Sequence, residues 1–320
     1  MITLTHKGFS IRLSDLTQRP YRAALCDVLL VVTRRNRKEA LAEFARAEAT
    51  CSMTYSGLRT EGVDDLAFLK DFPSLRYLEI ADPAPADLRP LESLSNLRGL
   101  LIESPPCGLD FACFPELEVF AGAWHSENRG VAAARELRRL HIRKYVTKTR
   151  DFSALAGSIR LEELHLTQTP IQSLDGLETL EDLRYLDLAY APKLSSLEAF
   201  ARCGDSLREL AFEKLPAIAS YQPLAALQRL RRLKLSSCAP MPDLKWTEPL
   251  RQLDFFTFVE TNVIDGDMTP LLRLPALRIV QTGQKRRYNL TSAEVMTRLA
   301  KARDDSAASG KGAQAAPQIS

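Results

Sequence analysis

The stretch Ile171-Gln-Ser-Leu174-Asp-Gly-Leu177-Glu-Thr-Leu180-Glu-Asp-Leu183-Arg-Tyr-Leu186-Asp-Leu188 carries two periods in succession. From Ile171 to Leu183 an apolar residue stands at every third position. From Leu183 the pattern becomes L-x-x-L-x-L, whose last two leucines alternate with polar residues. Alternation is the period of a short strand with one buried face. A period of three suits a 3₁₀-like or extended return better than a regular α-helix, because side chains three apart eclipse in a 3₁₀ turn. One repeat is therefore a strand followed by a short return.

The hexad recurs ten times, with first positions at Leu75, Leu97, Leu117, Leu137, Leu161, Leu183, Leu207, Leu230, Leu250 and Leu277, in steps of 20 to 27 residues. That spacing lies in the range of a known class of stacked repeats. The period-three return recurs in Val63/Leu66/Leu69/Phe72/Leu75, in Leu88/Leu91/Leu94/Leu97 and in Ile218/Tyr221/Leu224/Leu227/Leu230. Neighbouring hexads would stack as a parallel sheet about 4.8 Å apart. The form ending Leu183-Arg-Tyr-Leu186-Asp-Leu188 resembles the 22-residue repeats of internalin-type bacterial leucine-rich-repeat proteins. The resemblance covers roughly Val63 to Leu290. It implies an α/β solenoid: a leucine-rich-repeat horseshoe with a concave parallel β-sheet and short 3₁₀ or irregular convex turns. It also implies a protein-binding module, without specifying the target.

Two departures qualify the resemblance. The asparagine usual three residues after the last leucine is replaced by Pro83, Pro105, Thr169, Ala191 and Cys238, among others. The ladder of side-chain bonds to the turn backbone is thus expected to be largely absent. The N-terminus also lacks a basic stretch followed by an apolar run of signal-peptide length. No segment approaches the ~20 apolar residues that span a bilayer. The six cysteines are dispersed without a C-x-x-C pair, which predicts a reduced, cytoplasmic protein. The excess of arginine over lysine, with abundant alanine, hints at a bacterial genome.

The ends must cover the apolar faces of the terminal repeats. Residues 1–60 read as an N-terminal cap, with a hairpin over Ile2–Leu13 and a helix opening at Asn36-Arg-Lys-Glu39. A short strand is expected at Ala49–Met53, before a solenoid over 61–290. Thr291-Ser-Ala-Glu294 opens a capping helix over 291–303, and 304–320 reads as a disordered tail.

Counting along the hexad, positions three, five and seven should face the concave side, with two and eight at its edges. Position five reads Glu79, Leu101, Ala121, His141, His165, Asp187, Ala211, Lys234, Asp254 and Gln281. His141, His165 and Asp187 fall in succession there, and Tyr185, Arg139, Arg143, Lys144, Trp124 and Tyr190 lie around them. Binding hot spots favour Trp, Tyr and Arg, so these nine residues are the expected partner-contact patch. An edge tryptophan can equally tuck under its neighbour. Arginine holds position two in eight of ten repeats, where it serves as a solvated edge whose stem covers leucine.

The expected function is a non-catalytic, monomeric protein that binds another protein, an inhibitor or immunity-type protein being one form. It would use no cofactor and no membrane. A balance of 43 basic and 40 acidic residues speaks against a polyanion binder. The basic run Arg138, Arg139, Arg143, Lys144, Lys148 and Arg150 keeps nucleic acid as the alternative. A metal-dependent enzyme centred on His141, His165 and Asp187 is the third reading. The sequence has no phosphate-cradling glycine loop, G-x-S-x-G or H-E-x-x-H.

Overall fold

The period-three residues of each return form their own hydrogen-bond chain. The amides of Leu69, Phe72 and Leu75 donate to the carbonyls of Leu66, Leu69 and Phe72, each at 3.0 Å. The same chain runs through Leu88–Leu97, Leu174–Leu183 and Tyr221–Leu230. Every residue that makes these bonds is also buried. Burying a leucine contributes roughly 1.5–3 kcal/mol, whereas a net backbone hydrogen bond contributes about 1. Apolar burial, with hydrogen bonding second, therefore holds the return, and it is 3₁₀ as the spacing predicts.

The computed structural model describes residues 3–6, 9–12, 28–50, 56–203 and 206–312, in two units split at Thr169 and Pro170. In the first unit β1 (Thr3–His6) and β2 (Phe9–Arg12) make an antiparallel hairpin. They are followed by β3 (Val28–Thr33), helix α1 (Arg37–Thr50) and β4 (Ser56–Glu61). One strand per repeat comes next: β5 (Tyr77–Ile80), β6 (Gly99–Ile102), β7 (Val119–Ala123), β8 (Arg139–Arg143) and β9 (Glu163–Thr167). Strands β3 to β9 pair in parallel and in chain order. The second unit repeats the scheme with β10 (Tyr185–Ala189), β11 (Glu209–Glu213), β12 (Arg232–Ser236), β13 (Phe255–Val259) and β14 (Ile279–Thr282). Helix α2 (Ser292–Gly312) then packs on β14. Among the described residues no helix is long and apolar enough to cross a membrane.

Four details differ from expectation. Phe255 pairs with Arg232, so the ninth hexad starts at Leu253 and buries Phe256 and Phe258. Leu250 belongs to the return, its amide donating to Thr247. Thr257 therefore holds position five in place of Asp254, and Asp254, not Arg251, holds position two. The cause is that L-x-x-L in the return has the same spacing as the first step of the hexad. Second, Ala49 and Thr50 are helical, so no strand forms there; Cys51–Met53 lie outside the described residues. Third, Asn36 does not pair with Glu39. It accepts from the Thr33 amide at 2.7 Å and donates to the Val31 carbonyl at 3.2 Å, locking the corner between β3 and α1. Fourth, α2 runs on through Gly312, past the Asp304 boundary, because Ala302, Ala307 and Ala308 are strong helix formers even without an apolar face. Residues 313–320 of the expected tail lie outside the described residues.

Two positions after the strand shape the turn. Position eight is held at positive φ without glycine at Lys144, Gln168, Tyr190, Lys214, Ser237 and Glu260, with φ from 52° to 60°. The amides of Lys144, Tyr190 and Lys214 each donate at 2.8 Å to the carbonyl at position seven of the next repeat, Thr167, Glu213 and Ser236. Position nine, where asparagine is missing, is not silent. Thr169 Oγ1 donates to the Tyr145 carbonyl at 2.7 Å, and Thr261 Oγ1 accepts from the Cys238 amide at 3.0 Å. Hydroxyls thus restore part of the ladder expected to be absent.

Candidate functional site

The open face of the first unit is not uniformly accessible. Strands β5 and β6 are buried on both faces. Position five of β5, β6 and β7 holds Glu79, Leu101 and Ala121, exposed by only 0, 3 and 4%. The buried Glu79 carboxylate is paired with the Arg59 guanidinium from β4. The expectation that position five faces water therefore fails for β5–β7. The sequence carried the sign, since Leu101 and Ala121 are apolar where a wet face would be polar.

Trp124 also leaves the expected patch. It is 8% exposed, stacked 6.2 Å from Phe111 and packed edge-on 5.3 Å from Tyr145. Two residues earlier, Gly122 holds position six without a side chain. Its φ is 155°, and a Cβ there would stand 1.9 Å from the Ile102 carbonyl oxygen. A tryptophan turned inward accompanies that missing leucine.

The water-facing part of the first unit is β8 and β9. Their burial alternates, with positions four and six inside and three and five half-exposed. His141 and His165 are direct register partners, and their rings stack at 4.1 Å with planes 14° apart. Burial, the neighbouring His165 and Arg139 together hold the His141 imidazole neutral, its pKa lowered to about 3. Arg139 pairs with Glu163 across the same two strands at 3.2 Å. Glu163 is not among the nine residues expected in the patch. The structure brings it to the histidines, with donor atoms of His141, Glu163 and His165 all within 4.8 Å of one another. Its position two residues before His165, on the same strand face, was the available signal.

Half of the basic run is already engaged. Arg138 holds Glu162 at 2.7 Å, and Arg143 holds the Glu103 carboxylate at 3.0 Å and its carbonyl at 2.9 Å. With Arg139 on Glu163, three of the six cations have carboxylate partners. Lys144, Lys148 and Arg150 are exposed.

In the second unit Tyr185 and Asp187 sit half-exposed at positions three and five of β10. Tyr190, at position eight, is 41% exposed, with the Lys214 ammonium 4.4 Å over its ring and donating to its hydroxyl at 3.0 Å. The same unit presents side chains that the shifted ninth hexad concealed. Phe255 holds position three of β13 beside exposed Ile279 on β14, and Val259 is exposed at position seven. Arg232 lies 4.9 Å over the Phe255 ring and 3.6 Å from Glu209.

Comparison with known proteins agrees on the fold. No protein-family model matches the sequence, and no curated protein matches it. An internalin, InlF, from Listeria monocytogenes superposes with a TM-score of 0.58 at 18% identity, over 81% of this chain and 79% of its own. The leucine-rich-repeat protein LIC12759 from Leptospira interrogans gives 0.59 at 18% identity, over 75% of this chain and 63% of its own. Parallel strands stacked in register, with β4 to β13 each followed by a 3₁₀ return, thus make the fold that of a leucine-rich-repeat solenoid of internalin type.

Proposed function

We propose that this chain is a non-catalytic protein-binding module of the bacterial cytoplasm that holds a partner protein on the open face of its strands. The form we favour is an inhibitor or immunity-type protein. One observation carries the reading: β8–β9 and β10–β13 bury positions four and six, while their other side chains present arginine, histidine, tyrosine and phenylalanine to solvent. Of these, tyrosine and arginine dominate binding energy at protein interfaces, and phenylalanine is enriched there. The contact set becomes Arg139, His141, Arg143, Lys144, His165, Tyr185, Asp187 and Tyr190, joined by Phe255 and without Trp124. Residues 1–60 and helix α2 act as caps for the solenoid over 61–290.

The test is cross-linked capture from the native host with the wild-type chain and with His165→Ala, Tyr185→Ala and Phe255→Ala. The expected result is one specific partner whose affinity for the variants drops by about tenfold or more, as for hot-spot truncation. Recovery of that partner undiminished by all three changes would remove the open face from consideration. Nucleic acid is the second reading, weakened by the carboxylate partners of Arg138, Arg139 and Arg143. Tight retention on heparin with a steep salt slope would restore it.

A further inference from the structure

We infer that His141, Glu163 and His165 form a binding site for one transition-metal ion of the zinc class on the open face of β8 and β9. Their donor atoms converge to within 4.8 Å of one another. The backbone enforces this convergence. His141 and His165 are register partners on adjacent parallel strands, and Glu163 projects from the same face two residues before His165. A tetrahedral ion with bonds of about 2.0–2.2 Å needs donors about 3.4 Å apart. To reach that spacing the side chains have to close up to roughly 1.4 Å, and the two stacked imidazoles have to turn out of their near-parallel arrangement so that their in-plane lone pairs converge on the ion.

The donor set selects the class of ion. Two imidazoles and one carboxylate suit zinc, cobalt or nickel, whereas calcium and magnesium require oxygen donors throughout. The carboxylate is already oriented by the Arg139 guanidinium, as outer partners commonly orient metal-binding carboxylates. The same positive charge repels the ion and limits its affinity. Three protein donors leave one coordination position directed away from the sheet, open to water or to a donor from another molecule. All three donors belong to the first unit, and metal uptake by the purified chain is read without a partner, so its outcome is distinct from that of the partner reading.

The test uses the full chain, free of purification tags and stripped by a chelator, titrated with Co²⁺ by visible absorption and with Zn²⁺ by calorimetry. The expected result is uptake of about one equivalent with the absorption of tetrahedral Co²⁺. His165→Ala and Glu163→Gln should each weaken binding by about tenfold or more. His125→Ala, in a separate turn, should leave it unchanged. Glu163 is a half-exposed donor, so its variant carries the test even if a histidine variant fails to fold; circular dichroism verifies each. No uptake by the wild type, uptake that survives both donor changes, or loss in His125→Ala would overturn the assignment.

Discussion

Two buried tyrosines separate packing from hydrogen bonding. The Tyr221 hydroxyl donates to the Ala239 carbonyl at 2.7 Å. The Tyr145 hydroxyl is equally buried and has no hydrogen-bond partner among the described residues. Burial pushes both phenols well above their ordinary pKa. Tyr221→Phe should therefore cost about 1–2 kcal/mol, and Tyr145→Phe should be neutral or stabilising by up to about 1. Denaturant unfolding of the two variants checks the contrast; equal losses would refute it. His141 gives a pH prediction. Its folded pKa of about 3 lies below the unfolded value of about 6.5, so the unfolded chain binds the extra proton. Its contribution is whole above pH 6.5 and declines as the pH falls toward 3. The loss is at most about 1.4 kcal/mol per pH unit, less where water reaches the ring. The other groups facing this ring are His165, Arg139 and Glu163. In metal-free buffer, Tm should fall between pH 6.5 and 4.5, and His141→Asn should flatten that slope.

The elements differ in how far the sequence announces them. The returns were legible because burial and bonding use the same third residue, so one pattern reports both. Helix α2 was legible at its start. The Thr291 and Glu294 amides each bond the other's side chain, at 2.7 and 3.2 Å, which is a complete capping box. Thr291→Ala should cost about 1 kcal/mol, read as a lower Tm with the solenoid strands intact. At β13 the reading slipped by three residues, because the hexad repeats the spacing of its own return. The turns concealed their backbone conformation. Nothing in lysine, glutamine or tyrosine announces a left-handed residue, which costs about 1–2 kcal/mol outside glycine. Lys144→Gly should accordingly raise stability by about 1 kcal/mol, measurable as a higher denaturation midpoint at unchanged m.

Across the whole chain the fold was more legible than the site, for a physical reason. A repeat is written ten times, so an error in one copy leaves the architecture standing. An interface residue is written once, and its exposure depends on neighbours that periodicity does not name. Leu101 occupies the same hexad position as His165 and is nearly inaccessible. Arg143 looked free, and its guanidinium is held by Glu103, 40 residues earlier.

The three-residue ambiguity at β13 belongs to the molecule as well as to its reader. In the frame that starts at Leu250, the inward residues would be Leu253 and Phe255, both apolar. An odd shift reverses which side chains point inward, yet here either choice satisfies the core. The growing edge of the second unit can therefore trap a misaligned strand that must detach before β14 adds. Stopped-flow refolding should show a slow phase from that misalignment. Phe255→Lys, which makes the wrong frame bury a charge, should abolish the phase while leaving the native strand in place.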